Sequence, residues 1–394
     1  MTSRGTATAG RAAAVLAVAA LAAGCASTPG PAAAPQPQAP AALSAATSLT
    51  VPGGTWAAIP MGTTGPNLFW QLFLLPEPAV RWSLQTPPDI ATNGALILAA
   101  QDGSGQNAGT LITGVRPAVD LTFSPVTATR DEGRSWATLP PDPGLVGVPD
   151  ALAASPGGQL IALGQDQQVR TASTASGSAS WAAVTSQRAL AATPAGRSCL
   201  LTGLTAAAYT PGGIPLLGGT CTRVGTAGVF ADAGGTWHLT GPALPAALAS
   251  QPIQVLRLTR TGRTDTALLE AGTGPSACLI AAWASDNARQ WTLSPALRLG
   301  HAQPVSASFS AAGATAVVLT GDRAEILPGP GASWQPLPAL PPGRTVTLAL
   351  PAADTTDALA ADGSTLTAWQ LASRPARWDK TQIITVPIQY GSSS

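Results

Sequence analysis

Regularly spaced tryptophans constrain the fold of this chain more than any other feature of its sequence. Seven of them follow one another at intervals of 54, 45, 56, 54, 43 and 44 residues, at Trp82, Trp136, Trp181, Trp237, Trp291, Trp334 and Trp378. Between them, short apolar runs such as QLIALGQ, TALLEAG and ATAVVLTG alternate with turns rich in glycine and proline. Each run has the length of one strand. Proline and glycine interrupt the alanine-rich windows after the N-terminal segment, which argues against helices there.

A repeating unit of this length with several strands is typical of a β-propeller blade. One blade cannot bury both of its faces, so neighbouring blades must pack in a ring. The predicted fold is therefore all-β, a single seven-bladed β-propeller over residues 49–394. Six or eight blades remain open, because the first unit (49–90) is irregular and Trp56 stands outside the period. Trp56 belongs either to an extra unit or to a strand that closes the ring, and the run 382–388 is predicted to be an outer or closing strand.

A turn motif precedes several of these tryptophans. In TRDEGRSW, Thr129, Asp131, Gly133 and Trp136 stand at fixed offsets. FADAGGTW repeats the offsets with Asp232, Gly234 and Trp237, and ASDNARQW keeps Asp286 and Trp291. This pattern resembles the Asp-box, or BNR repeat, found in the propellers of bacterial sialidases, sortilin-type receptors, some xyloglucan-cleaving hydrolases and photosystem II assembly factors. The resemblance implies a sialidase-like propeller architecture, but those families do unrelated things, so it predicts no activity.

The spacing of the motif has a physical explanation that needs no catalysis. An aspartate can accept hydrogen bonds from the backbone N–H groups of its own turn, and glycine adopts backbone conformations that other residues resist. The tryptophan then begins the returning strand and buries a large ring. We therefore predict that the residues of all three motif copies are structural.

The N-terminus reads as an export signal, residues 1–24, with Arg4 and Arg11 before a short apolar stretch. It ends in Leu-Ala-Ala-Gly before Cys25, which resembles a bacterial lipobox and implies that Cys25 becomes a lipidated N-terminus. An ordinary secretory signal followed by a chance cysteine is the alternative. Acyl chains would hold the protein at the outer face of the cytoplasmic membrane without spanning it. Residues 25–48 are rich in proline and alanine and are predicted to form a semi-extended tether.

Three further cysteines lie in the exported part of the chain. Cys199 and Cys221 flank two apolar runs around the turn signal Thr-Pro-Gly-Gly, residues 210–213. A hairpin over this segment brings the two cysteines close enough for a disulfide, which an oxidising compartment allows. Cys278 is then a lone thiol, predicted to be a small buried residue. No cysteine or histidine spacing indicates a metal site, and no cofactor is expected.

The sialidase catalytic set does not carry over to this sequence. That family uses three arginines, a tyrosine with a neighbouring glutamate, and an aspartate. Here only Tyr209, in a predicted turn region, and Tyr390 are available, and no glutamate adjoins either. His238 follows Trp237 on a predicted strand and is expected on the surface or between blades. Asp354, Asp357 and Asp362 are predicted to be solvated turn residues. An exposed hairpin is predicted at Arg257, Arg260 and Arg263, with a site for an anionic ligand as the alternative.

Charge patterning limits the class of partner. The chain has 20 basic and 19 acidic residues among 394, for a net charge of +1, and nucleic-acid binding needs clustered positive charge. We therefore expect a monomeric, non-catalytic cell-envelope lipoprotein that binds a protein or glycan, through loops such as 101–110 and 140–150. The alternative is a divergent sialidase-like glycoside hydrolase.

Overall fold

A computed structural model describes residues 43, 48–63, 68–87, 96–101, 109–115, 125–139, 145, 147–173, 180–285, 287–373 and 376–387. The signal peptide, Cys25, most of the tether and Tyr390 lie outside the described residues. Within the described part, antiparallel pairing in chain order divides the strands into seven successive four-stranded units, and further short pairings join the fourth unit to the fifth and the first to the sixth. Each unit takes its strands in chain order from the inside of the ring to its rim.

The seven blades have the following strands. Blade 1 has β1 (Ser48–Val51), β2 (Gly54–Gly62), β3 (Leu68–Pro76) and β4 (Ser83–Leu84). Blade 2 has β5 (Ile97–Gln101), β6 (Thr110–Gly114), β7 (Val126–Thr129) and β8 (Ala137–Thr138). Blade 3 has β9 (Ala151–Ala154), β10 (Gln159–Leu163), β11 (Gln168–Ser173) and β12 (Ala182–Ser186). Blade 4 has β13 (Leu201–Tyr209), β14 (Pro215–Cys221), β15 (Gly228–Asp232) and β16 (Trp237–Leu239).

The last three blades complete the ring. Blade 5 has β17 (Ile253–Thr261), β18 (Thr264–Ala271), β19 (Cys278–Ala284), β20 (Trp291–Leu293) and a short addition, β21 (Leu297–Arg298). Blade 6 has β22 (Pro304–Phe309), β23 (Thr315–Leu319), β24 (Arg323–Leu327) and β25 (Gln335–Pro336). Blade 7 has β26 (Thr345–Ala352), β27 (Thr355–Asp362), β28 (Thr365–Ser373) and β29 (Ala376–Thr385). The seven-bladed prediction is confirmed.

The core of the molecule lies between the blades. Each pair of neighbouring blades, including blades 7 and 1, shares an apolar cluster of small and branched side chains. In blades 4 and 5, Gly218 allows this close approach, because a Cβ there would meet Val255 at 2.6 Å. Alanine therefore serves as a small packing residue between neighbouring blades rather than as a helix former. This explains why a chain rich in alanine folds into β-sheets.

Several of the repeated tryptophans tie their blade to the one before it. The indole N–H of Trp291 in blade 5 donates to the backbone oxygen of Thr240, just after the outer strand of blade 4, at 2.7 Å. Trp334 donates to Pro295 at 3.0 Å and Trp378 to Pro338 at 3.4 Å. The tryptophan period thus reports a contact between blades as well as a turn within each blade.

The ring closes without an exchanged strand, because each blade uses four consecutive strands of the chain. Instead, the side chain of Gln382 on β29 bonds both backbone groups of Trp82. Its Oε1 accepts from the Trp82 N–H at 2.8 Å, and its Nε2 donates to the Trp82 oxygen at 2.9 Å. Gly62 donates a further backbone bond to Gly363 at 2.7 Å. The C-terminal run is therefore an outer strand whose side chain, rather than its backbone, joins blade 1.

Trp56 lies on β2 within blade 1, so it belongs neither to an extra unit nor to a closing strand. Its ring packs against Trp136 of blade 2 with centroids 6.1 Å apart in a T-shaped arrangement. Leu43, within the predicted tether, is buried in the cluster shared by blades 5 and 6. This part of the segment therefore contacts the ring, because a leucine gains by leaving water when an apolar groove is near.

Two short helices precede blade 4, in a region where the sequence analysis expected none. Helix α1 (Gln187–Ala191) begins after Ser186, whose side chain accepts from the Ala189 N–H, and α2 (Pro194–Cys199) begins after Thr193, which caps Gly196 in the same way. The Thr-Pro pair is a typical helix start. Within the described residues, no helix combines the length and apolar character needed to cross a membrane.

Candidate functional site

The first Asp-box turn is held together by its own side chains. Asp131 accepts the backbone N–H of Ser135 at 2.9 Å, the Ser135 hydroxyl at 2.5 Å and the Thr129 hydroxyl at 2.9 Å. The Thr129 oxygen in turn accepts the Gly133 N–H at 2.9 Å. Glu132 and Gly133 adopt φ of 61° and 85°, a left-handed region in which glycine carries no penalty. The motif therefore reverses the chain between β7 and β8.

These hydrogen bonds set the charge state of Asp131. The hydroxyl and backbone N–H of Ser135 lower the pKa of the Asp131 carboxyl to about 2, with smaller contributions from Thr129 and Arg134. A carboxylate with so low a pKa is a poor general acid or base near neutral pH. Asp131 therefore stabilises its turn and is unsuited to proton transfer.

The second motif copy is simpler. Asp232 accepts the Gly235 N–H at 2.8 Å, and Gly234 and Gly235 have φ of 67° and 88°. Trp237 begins the returning strand and is buried. In the third copy Asp286 lies outside the described residues, while Trp291 contributes the indole bond to blade 4 described above.

A small cleft opens beside the first Asp-box turn. It has a volume of about 190 Å³ and lies between the β1–β2 turn of blade 1 and blade 2. Pro52, Trp56, Gly109, Arg130 and Glu132 are among its lining residues. Arg130 and Glu132 are exposed, and neither contributes to the hydrogen bonds made by the Asp131 carboxylate. Two charged residues of the motif thus line a cleft, where Glu132 also pairs with the exposed Arg134 at 3.2 Å, while the aspartate is engaged in the turn.

The cysteines divide into a bonded pair and a thiol. Cys199 and Cys221 form a disulfide with Cα atoms 5.2 Å apart, at the open end of the β13–β14 hairpin. Cys278 is buried on β19, where burial and the nearby Glu270 raise the pKa of its thiol. A thiol of raised pKa in a buried position is a weak nucleophile.

The remaining catalytic candidates are scattered. Tyr209 ends β13 with 4% of its surface exposed, and burial raises the pKa of its phenol to about 12. His238 is exposed on β16. Among the described residues, no group of three or more histidine, cysteine, aspartate or glutamate side chains has the arrangement of a metal site.

Asp357 does not lie in a solvated loop, as its sequence had indicated. It is on β27 with 5% of its surface exposed, and its carboxylate accepts from the Trp82 indole at 3.1 Å and from Gln370 at 3.4 Å. Burial raises its pKa against the lowering effect of these two donors. Asp354 and Asp362 are exposed, as expected. The prediction of a solvated Asp357 is wrong because blade 1 covers this part of blade 7 in the tertiary structure.

Arg257 also departs from the sequence interpretation. The β17–β18 hairpin forms and Arg263 is exposed at its turn. However, the Nε and Nη2 atoms of Arg257 are buried and have no hydrogen-bond partner among the described residues. Burial lowers the pKa of its guanidinium to about 10. A β-bulge between Val255 and Arg257 shifts the alternation of inward and outward side chains along the strand. The spacing of residues in the sequence does not predict this bulge.

Comparisons with known proteins agree on the fold. No protein-family model matches the chain, and no curated protein does. A crystal structure of a protein from Lactobacillus plantarum is similar with a TM-score of 0.51 and 11% identity, over 85% of this chain and 97% of that one. The GH74 xyloglucanase from Xanthomonas campestris is similar with a TM-score of 0.51 and 11% identity, over 87% of this chain and 55% of the enzyme.

A third structure, YCF48 from Cyanidioschyzon merolae, aligns with a TM-score of 0.47 and 12% identity, over 83% of this chain and 95% of its own. At such identities a likeness shows architecture alone, since propellers of one shape perform unrelated functions. The fold and the comparisons together define this protein as a β-propeller.

Proposed function

We propose that the chain is a non-catalytic cell-envelope lipoprotein whose propeller binds a protein or glycan partner. The observation that carries the proposal is the state of four of its aspartates. Asp131 and Asp232 accept bonds within their turns, Asp166 pairs with Arg170 at 2.7 Å, and Asp357 is bonded at the seam between blades 7 and 1. Each of these carboxylates supports the fold rather than facing a substrate.

The cleft between blades 1 and 2 is the proposed docking position. A rigid turn presents the opposite charges of Arg130 and Glu132 on its wall, beside Pro52 and over the buried Trp56. Loops on a rigid frame are where propellers place recognition. Charge at the rim of an interface sets specificity and association rate more than affinity.

Capture from an envelope extract tests this role. The full chain in mild detergent is the bait, and Arg130→Glu is compared with Arg344→Glu, an exposed arginine preceding blade 7. The proposal expects a discrete partner that Arg130→Glu loses and Arg344→Glu keeps. If the purified chain hydrolyses sialosides or xyloglucan and no partner is captured, the binding proposal is wrong and the protein is a hydrolase.

The membrane anchor is proposed on the lipobox resemblance alone. Globomycin is expected to block processing in the native host, and Cys25→Ala to release the protein from the membrane. Unchanged processing with globomycin, or membrane retention of Cys25→Ala, would contradict the anchor without affecting the propeller.

A further inference from the structure

Arg257 presents an unusual arrangement on the innermost strand of blade 5. Its Nε and Nη2 atoms are closed off from solvent and have no hydrogen-bond partner in the part of the chain that the structure describes, while another part of the residue keeps some exposed surface. These two nitrogens form the edge of the guanidinium that grips a carboxylate through two parallel hydrogen bonds. Buried donors of this kind are ordinarily satisfied.

The strand register gives the direction of the side chain. Arg257 pairs with Leu268 across β17 and β18, and directly opposed residues share one face of a sheet. Leu268 is fully buried in the cluster between blades 5 and 6, together with Leu256 and Phe309. Arg257 therefore leaves the sheet toward blade 6, at the inner rim of the ring.

Among the described residues, no charged group accounts for the burial of Arg257. Burial is the sole cause of its lowered pKa, whereas a neighbouring carboxylate would raise that pKa. Glu270 lies two residues beyond Leu268 and so on the same face. Burial raises the pKa of Glu270, which is the opposite of the shift that an ion pair with a guanidinium produces.

We propose that Arg257 anchors a carboxylate-binding site at the inner rim between blades 5 and 6. A carboxylate would accept bonds from Nε and Nη2 together and neutralise the guanidinium. The residue keeps some exposed surface, and rotation about the flexible stem of its side chain would bring the guanidinium toward solvent to meet the anion. The carboxylate comes either from a small free acid or from the carboxyl terminus of a peptide.

The inference goes beyond the proposed partner-binding role and is tested separately, on the purified full chain alone. Isothermal titration calorimetry is run with acetate, with tetra-alanine bearing a free carboxyl terminus, and with the same peptide amidated. We expect the free carboxylates to bind and the amide to fail. Arg257→Met is expected to weaken binding by about tenfold or more, and Arg257→Lys less, because lysine keeps the charge but loses the fork.

Arg263→Met is the matched control, since Arg263 is exposed at the turn of the same hairpin. Tighter binding of the free peptide than of acetate would assign the site to a chain terminus, and equal binding to a small acid. The proposal is overturned if neither carboxylate binds the wild-type chain, if sodium chloride gives the same heat, or if Arg257→Met binds as well as wild type. The wild-type titrations decide even if a variant fails to fold.

Discussion

Asp131 and Asp357 show at the residue scale that position decides what a carboxylate contributes. Asp131 is surrounded by donors in an exposed turn, and its pKa is lowered. Asp357 is enclosed between blades 7 and 1 with two donors, and burial raises its pKa. The same change, aspartate to asparagine, should therefore have opposite effects at the two positions.

We expect Asp131→Asn to lower the free energy of unfolding at pH 7 by about 0.5–1 kcal/mol, because the amide cannot accept all three bonds. The folded pKa of about 2 lies below the value of about 3.9 in an unfolded chain. The stabilisation by Asp131 is thus complete above pH 4 and is lost as pH falls toward 2. Urea titrations followed by tryptophan fluorescence at pH 7, 4 and 2.5 should show the difference from wild type shrinking.

Asp357→Asn is expected to stabilise the protein at pH 7 by about 1–2 kcal/mol, since it removes a buried charge and keeps an acceptor for Trp82. A raised folded pKa contributes stability below the unfolded pKa that is lost as pH rises through the folded one. The advantage of Asp357→Asn should therefore vanish below about pH 4. A variant less stable than wild type at pH 7 would show that the ionised form is the stabilising one.

At the scale of elements, the β13–β14 hairpin depends on a long-range link as well as on its ladder. The disulfide closes a loop with a sequence separation of 22 residues and joins the end of α2 to the end of β14. The short helices gain little by themselves, because helices of this length are marginal in water. The cross-link therefore fixes the position of this helical segment against blade 4.

Replacing both Cys199 and Cys221 with serine should lower the free energy of unfolding by about 2–4 kcal/mol, mainly by freeing the unfolded chain. Differential scanning calorimetry measures the shift in Tm, and Cys278→Ser is the control for a change at a buried thiol. Dithiothreitol should lower the Tm of wild type to that of the double variant and leave the Tm of the double variant unchanged. If the double variant has the same Tm as wild type, the backbone hydrogen bonds between β13 and β14 hold the hairpin without the disulfide.

For the whole molecule, the seam between blades 7 and 1 matters because side-chain hydrogen bonds help to close the ring there. Gln382→Ala removes both bonds to the backbone of Trp82, and we expect a loss of about 1–3 kcal/mol because buried backbone groups are left unsatisfied. Hydrogen exchange should rise at Trp82 and along β29 first. The control is Gln335→Ala, at an exposed glutamine on the outer strand of blade 6. It should change neither the free energy of unfolding nor the hydrogen exchange at the seam. Uniform exchange across all blades would contradict a local seam.

Much of the fold could be predicted from the sequence because its signals are local. Trp136 and Trp237 stand where a turn ends, and Asp131 and Gly133 bond within seven residues of the same turn. The hairpin that brings Cys199 to Cys221 likewise follows from nearby turn residues. The helices after Ser186 and Thr193 were missed, although their caps are visible in the sequence.

The positions that the sequence misassigned depend on distant segments. Asp357 and Arg257 each sit in a stretch whose neighbours suggest exposure. Asp357 is covered by Trp82, 275 residues earlier in the chain, and Arg257 is turned inward by a bulge against another blade. Composition cannot report such burial, because it depends on which surfaces meet when the ring closes.

The sequence by itself determined the period, the turns and hence the seven blades, since each depends on residues a few positions apart that act through hydrogen bonds of one turn. Only the tertiary structure decided that Gln382 helps to close the ring, that Asp357 is buried beneath Trp82 and that two nitrogens of Arg257 have no partner among the described residues. The physical reason is that local bonds form within one segment, whereas burial exists only between blades that the chain brings together at the end of folding.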